Sequence, residues 1–280
     1  MSERIILDLS GPALEQATAL LAAGGEPAAA LGRALDQVPV AAFSVGFATP
    51  ASHAKDGTVF AAFLLAFTRR SRVVVRVDPA RQHPINIART VSTLSALHGA
   101  RIGIGLHADA ETDAWFARGA NASAASAADY LRLVSSLWDS WPLDAIIGDT
   151  HAGQYVDAQR IVRIADPAYA HIGGPLTLPT DVSSKPPLLL LQAQGGEGGD
   201  LPGIDLALQT VSGNAYAAAG LRLVLGEGDM QSVLARPPST AYAADSTGLT
   251  LRAALGLGPS RQVATDSTPV FGDPSGAALV

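Results

Sequence analysis

Short runs of β-branched and aliphatic residues alternate with longer Ala- and Leu-rich stretches along most of the chain. RIILDL (Arg4–Leu9) predicts a first strand, ended by Ser10-Gly11-Pro12. Ala13–Ala23 and Ala28–Leu35 predict helices on either side of Gly24-Gly25, and Val38–Val45 predicts a buried strand. Val59–Phe67 is apolar on every face; too short to span a bilayer, it predicts a buried helix. The clearest unit is RVVVRV (Arg72–Val77), then a helix over Ile85–His98, then RIGIGL (Arg101–Leu106). Strand, helix and strand in so short a span imply a parallel pair with a right-handed crossover.

Farther on, Ala127–Trp138 carries Tyr130, Val134, Leu137 and Trp138 at three- and four-residue spacing, the mark of an amphipathic helix. Leu188–Gln192, Asn214–Ala218 and Leu221–Leu225 predict later strands. Between them, Asp139–Pro187 is polar and rich in Gly and Pro, which predicts an insertion. From Arg236 the chain is rich in Ala, Ser, Thr, Pro and Gly, with one helical signal at Leu249–Leu255. The pattern as a whole predicts the α/β class: a (β/α)8 TIM-type barrel with an insertion between the fourth strand's helix and the later strands. One barrel domain over 1–235 is expected, with the insertion at about 139–187. Residues 236–280 form a C-terminal extension, packed on the barrel or partly mobile. No GxGxxG follows the first strand, which weakens a dinucleotide-binding open sheet.

Composition sharpens this reading. Hydrophobic residues make up 48% of the 280, enough for a large core, and charged residues only 16%. The net charge of −6 gives no footprint for a phosphate backbone, so nucleic acid is not expected as a partner. The absence of cysteine excludes disulfides, thiolate catalysis and Cys-ligated zinc. No apolar leader and no membrane span are expected, and the location expected is the cytoplasm.

In a parallel barrel the chemistry sits on loops after the strands. Three such loops stand out: Asp78–Pro84 with Arg81 and His83, His107-Ala108-Asp109, and Gln192–Gly199 with Gln194, Gly195 and Gly196. Glycines directly after a strand let backbone N–H groups approach an anion, so the third loop reads as a phosphate site or as a plain surface loop. His83 either orients a ligand or caps the helix that follows. His107, at a strand end, is the better-placed candidate. His151 and His171 fall in the insertion, where solvated histidines are usual. Trp138 suits core packing, and Trp141 a surface or interface. No HxxxH, clustered carboxylates or GxSxG point to a metal or a serine nucleophile.

Three stretches together resemble the bacterial luciferase-like flavin monooxygenases, nearest the nitrilotriacetate, dibenzothiophene-sulfone and alkanesulfonate branch. They are HPINIARTVSTLSALHGARIGIGL (His83–Leu106), YLRLVSSLWDSWPLDAIIGD (Tyr130–Asp149) and IGGPLTLPTDVSSKPPLLLLQAQGG (Ile172–Gly196). The resemblance implies a TIM-type barrel and reduced FMN, supplied by a separate flavin reductase and used with O₂ on a small organic substrate. It also implies a homodimer. It places Gln192, Gln194, Gly195 and Gly196 at the flavin phosphate, His107 nearest the isoalloxazine, and Arg81 and His83 around the mouth.

The chain departs from that pattern in places. Gly195 and Gly196 stand where a Ser is usual, ANASAASAA (Ala120–Ala128) replaces polar phosphate contacts, and strand two ends in Val45-Gly46. These losses keep a second reading open, a non-catalytic luciferase-like barrel that binds a ligand or a partner subunit. A third is a relative that uses a deazaflavin for hydride transfer.

Overall fold

The computed structural model describes residues 4–46, 55–110, 112, 125–192, 201–212, 215–218, 221–224, 229–235, 249–263 and 266–271. Strand β1 (Arg4–Leu9) leads into α1 (Gly11–Ala23), whose first turn holds Pro12, where its missing N–H has no intrahelical role. Helix α2 (Gly25–Leu35) follows, then β2 (Ala42–Val45), which begins three residues after Pro39. Helix α3 (Gly57–Phe67) is capped by Asp56, whose carboxylate accepts from the Thr58 N–H at 2.7 Å. Strand β3 (Val73–Arg76), helix α4 (Pro84–Leu97) and strand β4 (Ile102–His107) complete the unit that the sequence marks most clearly.

After β4 comes α5 (Ala127–Asp139), opened by a reciprocal Ser126/Asp129 capping box. Its buried face holds Trp138, fully enclosed, with the indole N–H donating to the Ala88 carbonyl of α4 at 2.9 Å. The segment to Pro187 carries a small hairpin, β5 (Ile146–Asp149) with β6 (Gln154–Val156), and a further strand β7 (Val162–Ile164). Then come β8 (Leu188–Gln192), β9 (Leu206–Ser212), β10 (Ala215–Ala218) and β11 (Leu221–Val224). Two short helices, α6 (Met230–Leu234) and α7 (Leu251–Leu255), precede β12 (Ser267–Pro269), which pairs with β7.

Eight strands close into a ring in the order β1-β2-β3-β4-β8-β9-β10-β11. The α/β barrel expected from the sequence is present. One strand runs against the rest: β10 is antiparallel to both neighbours, while β11 returns to lie parallel to β1. Its reversal follows from chain length. Two residues separate β9 from β10 and two separate β10 from β11, whereas a parallel crossover needs about a dozen. Helices therefore interleave with the strands of the first half of the ring, and a three-strand meander completes the second.

Alternation along each strand sorts the core into two shells. Phe43, Val73, Val75, Ile104 and Leu190 face outward into the helices, whereas Ile6, Ala42, Val74, Leu189, Leu191 and Leu208 fill the barrel. Helix α3 fits this plan only in part. Phe60, Leu64 and Leu65 are buried, but Val59 and Phe63 are 56% and 51% exposed, so a helix apolar on all faces is not buried on all faces.

The tail closes the floor. Leu251 and Leu255 of α7 belong to the inner apolar cluster, at 0% and 4% exposure. The Leu251 N–H donates to Ala100 at 2.8 Å, Arg72 Nε to the Leu249 carbonyl at 2.8 Å, and Arg252 pairs with Asp205. A β-carbon on Gly103 would lie 2.8 Å from Leu251 Cδ2 and 2.7 Å from the Pro187 carbonyl oxygen, so only glycine lets the plug seat. Leu251→Ala is expected to lower unfolding free energy by about 3 kcal/mol, because the ring cannot collapse around the lost side chain. Urea denaturation that shows a loss within error of zero would mean that α7 is not part of the core.

Candidate active site

The upper inner layer of the ring is polar. Asp8 of β1, Ser44 of β2, Arg76 of β3 and His107 of β4 occupy the last inward-facing positions of their strands, and Tyr216 of β10 stands across from His107. These are the C-terminal strand ends, where parallel barrels carry their chemistry. Register explains the grouping: Asp8 pairs with Ser44 and Arg76 with Gly105, two residues before His107.

Arg76 crosses this layer. Its Nη2 donates to the Gly46 carbonyl at 3.1 Å and lies 3.2 Å from Asp8 Oδ1, a charge contact without hydrogen-bond alignment. A β-carbon at Gly46 would sit 2.7 Å from Arg76 Cβ and 3.0 Å from its Nε, so the glycine that ends β2 makes room for the arginine stem. Arg76 Nε, Ser44 Oγ and Asp8 Oδ1 are all buried without a hydrogen-bond partner among the described residues. Such groups are rare in folded cores and concentrate where a ligand or ordered water completes them.

The His107 ring meets Tyr216 edge-on at 5.8 Å. Burial pushes its affinity for a proton below the ordinary histidine range, the Arg76 charge pushes the same way, and Asp109 and Asp8 oppose both. The imidazole is therefore neutral near pH 7.

The other candidates sit apart. His83 caps α4, its Nδ1 accepting from the Ile85 N–H at 3.3 Å, and burial lowers its pKa. Arg81 is exposed on the loop after β3. That loop is pinned from outside the ring: Tyr130 Oη donates to the Gln82 carbonyl at 2.8 Å. Gln192 ends β8, but alternation puts it on the outer side with Leu188 and Leu190. Its carbonyl accepts from Thr210 Oγ1 at 3.0 Å, and its own Oε1 is buried without a partner among the described residues. Gln194, Gly195, Gly196, Arg118 and most of the alanine run at 120–128 lie outside the described residues. His151 and His171 are exposed.

Of the residues in this layer, sequence reading named His107 but not Asp8, Ser44, Arg76 or Tyr216. The available signal was a polar residue at an inward-parity position inside an otherwise apolar strand, as in RIILDL and VVVR. A cavity of about 490 Å³ lies at the opposite end, between α5, the turn before β9 and α7. Its cations are already engaged: Lys185 Nζ binds both Asp139 oxygens and Ser135, and Arg252 binds Asp205.

A sequence profile of luciferase-like monooxygenases matches residues 14–200, well over half of the chain. The chain belongs to the luciferase-like monooxygenase family. Dibenzothiophene-sulfone monooxygenase of Rhodococcus erythropolis is 24% identical over 143 residues, which cover 46% of this chain and 30% of that protein. Among solved structures, DmoA from Hyphomicrobium sulfonivorans superposes with a TM-score of 0.49 at 15% identity, over 70% of this chain and 49% of that one. Long-chain alkane monooxygenase (LadA) does so with a TM-score of 0.47 at 17% identity, over 70% and 53%. The chain thus spans about half the length of these luciferase-like structures, and its match to the curated relative is shorter still.

His83, His98 and His107 all bind protons less readily in the fold than an ordinary histidine. Their stabilising effect is present above the unfolded value of about 6.5 and is lost as pH falls through the lower folded values. Stability is expected to drop between about pH 7 and about pH 5, and His107→Asn to flatten that drop. An unchanged pH profile in the variant would show that His107 is not a buried neutral base.

Proposed function

We propose that this chain is a flavin-dependent monooxygenase that uses reduced FMN and O₂ on a small organic substrate. The observation that carries the reading is the polar layer at the C-terminal barrel mouth of a luciferase-like family member. There, Asp8, Ser44 and Arg76 present donors and acceptors that no group among the described residues pairs. Both kinds of group are needed by the edge of a flavin ring, which alternates carbonyl acceptors with an N–H donor. The residues present fit that group.

His107, Arg76 and Ser44 would hold the ring side, Gln192, Gln194, Gly195 and Gly196 the phosphate, and Arg81 and His83 the rim. When bound, reduced FMN supplies the electrons that activate O₂ for transfer of one oxygen atom to the substrate. The chain's own part is positional and electrostatic. The apolar inner shell beneath the polar layer excludes water from below. Neutral His107 offers one N–H donor and one nitrogen acceptor without placing a fixed charge beside the ring. The Asp8–Arg76 pair keeps the inner layer electrically balanced. A separate flavin reductase would supply the reduced cofactor, and the cytoplasm is the compartment where such a supply exists.

Homodimer assembly belongs to the same proposal. It is supported by Val59 and Phe63, one turn apart on α3, which flank an apolar groove of about 330 Å³ shared with Thr18, Leu21 and Ala22 of α1. Phe63→Glu is expected to shift sedimentation from dimer to monomer. A parent protein that sediments as a monomer at tens of micromolar would remove the dimer from the proposal.

The second reading, a non-catalytic barrel that binds a partner, is favoured by the alanine-rich stretch where relatives carry polar phosphate contacts. Anaerobic titration with FMN, oxidised and then reduced, separates the two. Micromolar binding of reduced FMN, weakened at least about tenfold by Gly195→Leu, is expected of the enzyme. A well-folded protein that binds neither form would establish the non-catalytic reading.

A further inference from the structure

A guanidinium inside a barrel wall carries a desolvation penalty that its partners offset only when well aligned. Arg76 is 11% exposed, and its charge partner among the described residues, Asp8, meets it without hydrogen-bond alignment, so the pair is poorly explained as a stabilising bridge. Space has nevertheless been cleared for it. Gly46, on the β2 side, makes that room, since a β-carbon there would lie 2.7 Å from Arg76 Cβ, while Gly105 is its neighbour on β4. His107 lies two residues beyond Gly105 on the same inward face, diagonal to Arg76, within reach of a long side chain.

We infer that Arg76 is a positioning residue that acts through His107: held between Asp8 and the Gly46 carbonyl, its guanidinium sets a fixed positive charge diagonal to the imidazole in the inner layer of the mouth. The inference rests on the proposed function in that His107 is taken as the polar group nearest the flavin. It adds that the Arg76 charge, second to burial, opposes a charged imidazole beside that ring.

Among the described residues, the titratable and charged groups around His107 are Arg76 of β3, Asp8 of β1, Asp109 of the turn after β4 and Tyr216 of β10. Of the fixed charges, Arg76 opposes protonation and the two carboxylates favour it, with Arg76 the stronger influence. Substitutions of the two members of the pair must then move His107 in opposite directions. A purely structural role would not do this, because loosening the layer at either member hydrates the imidazole and raises its pKa.

The experiment is a histidine-selective NMR titration of the full chain, with His107 assigned by loss of its signal in His107→Asn. Arg76→Gln is expected to raise the His107 midpoint by about one pH unit, and Asp8→Asn to lower it. Arg76→Lys, which keeps the charge, is expected to leave it near the parent value. The double variant D8N/R76Q removes both charges together and should shift His107 upward by less than R76Q alone; if R76Q fails to fold, a downward shift in D8N beside an upward one in the double decides, and if D8N fails to fold, R76K at the parent value beside a raised R76Q decides. Upward shifts in both single variants, or no upward shift in the double, would overturn the inference. FMN binding is measured on the same samples. Opposite His107 shifts without flavin binding would leave the role of Arg76 standing and remove the proposed function, whereas binding with an unmoved His107 would do the reverse.

Discussion

An eight-strand ring encloses a volume that has to be filled, and the way this chain fills it decides both its stability and the place of its site. The middle is apolar: Ile6, Val74, Leu189, Leu191 and Leu208. The lower opening is stopped by Leu251 and Leu255, which come from the far end of the sequence. The upper opening is given to Asp8, Ser44, Arg76, His107 and Tyr216. The two ends are thus closed by unlike chemistry. The same inward parity that fills the ring builds the site, so core and function are alternate rungs of the same strands.

Much of the fold was legible. RVVVRV and LLLLQ read as strands because β-branched and aliphatic runs of that length have few other uses, and Ile85–His98 reads as a helix from its period. The reversal of β10 was legible in principle, since two residues between strands leave no room for a crossover. Reading the later strands as further βα repeats hid it. Val59 and Phe63 show the limit of hydropathy: an apolar stretch states what a helix can bury, not what it meets.

The site was harder to read. His107 stood out because it ends a strand. Asp8, Ser44 and Arg76 each look like one polar interruption in an apolar run, and they become a cluster only when eight strands are placed in register. Gln192 shows the converse. LLLLQ has no alternation, so nothing in the run shows that its last residue points away from the barrel interior. His83 is a cap before it is anything else, since its side chain is committed to the Ile85 N–H.

The β9–β10–β11 meander bears on how the barrel assembles. Its pairings join residues close in sequence and so cost little loop-closure entropy. The pairing of Arg4 with Leu221 is the opposite case, joining the first strand of the ring to its last across most of the chain. Contact order puts that seam last to form. Until β11 is made, β1 keeps one edge open, and the meander can arrive already folded, docking as one piece rather than strand by strand. In a chain made from its N-terminus, the final closing step is thus reduced to a single encounter between two prepared edges.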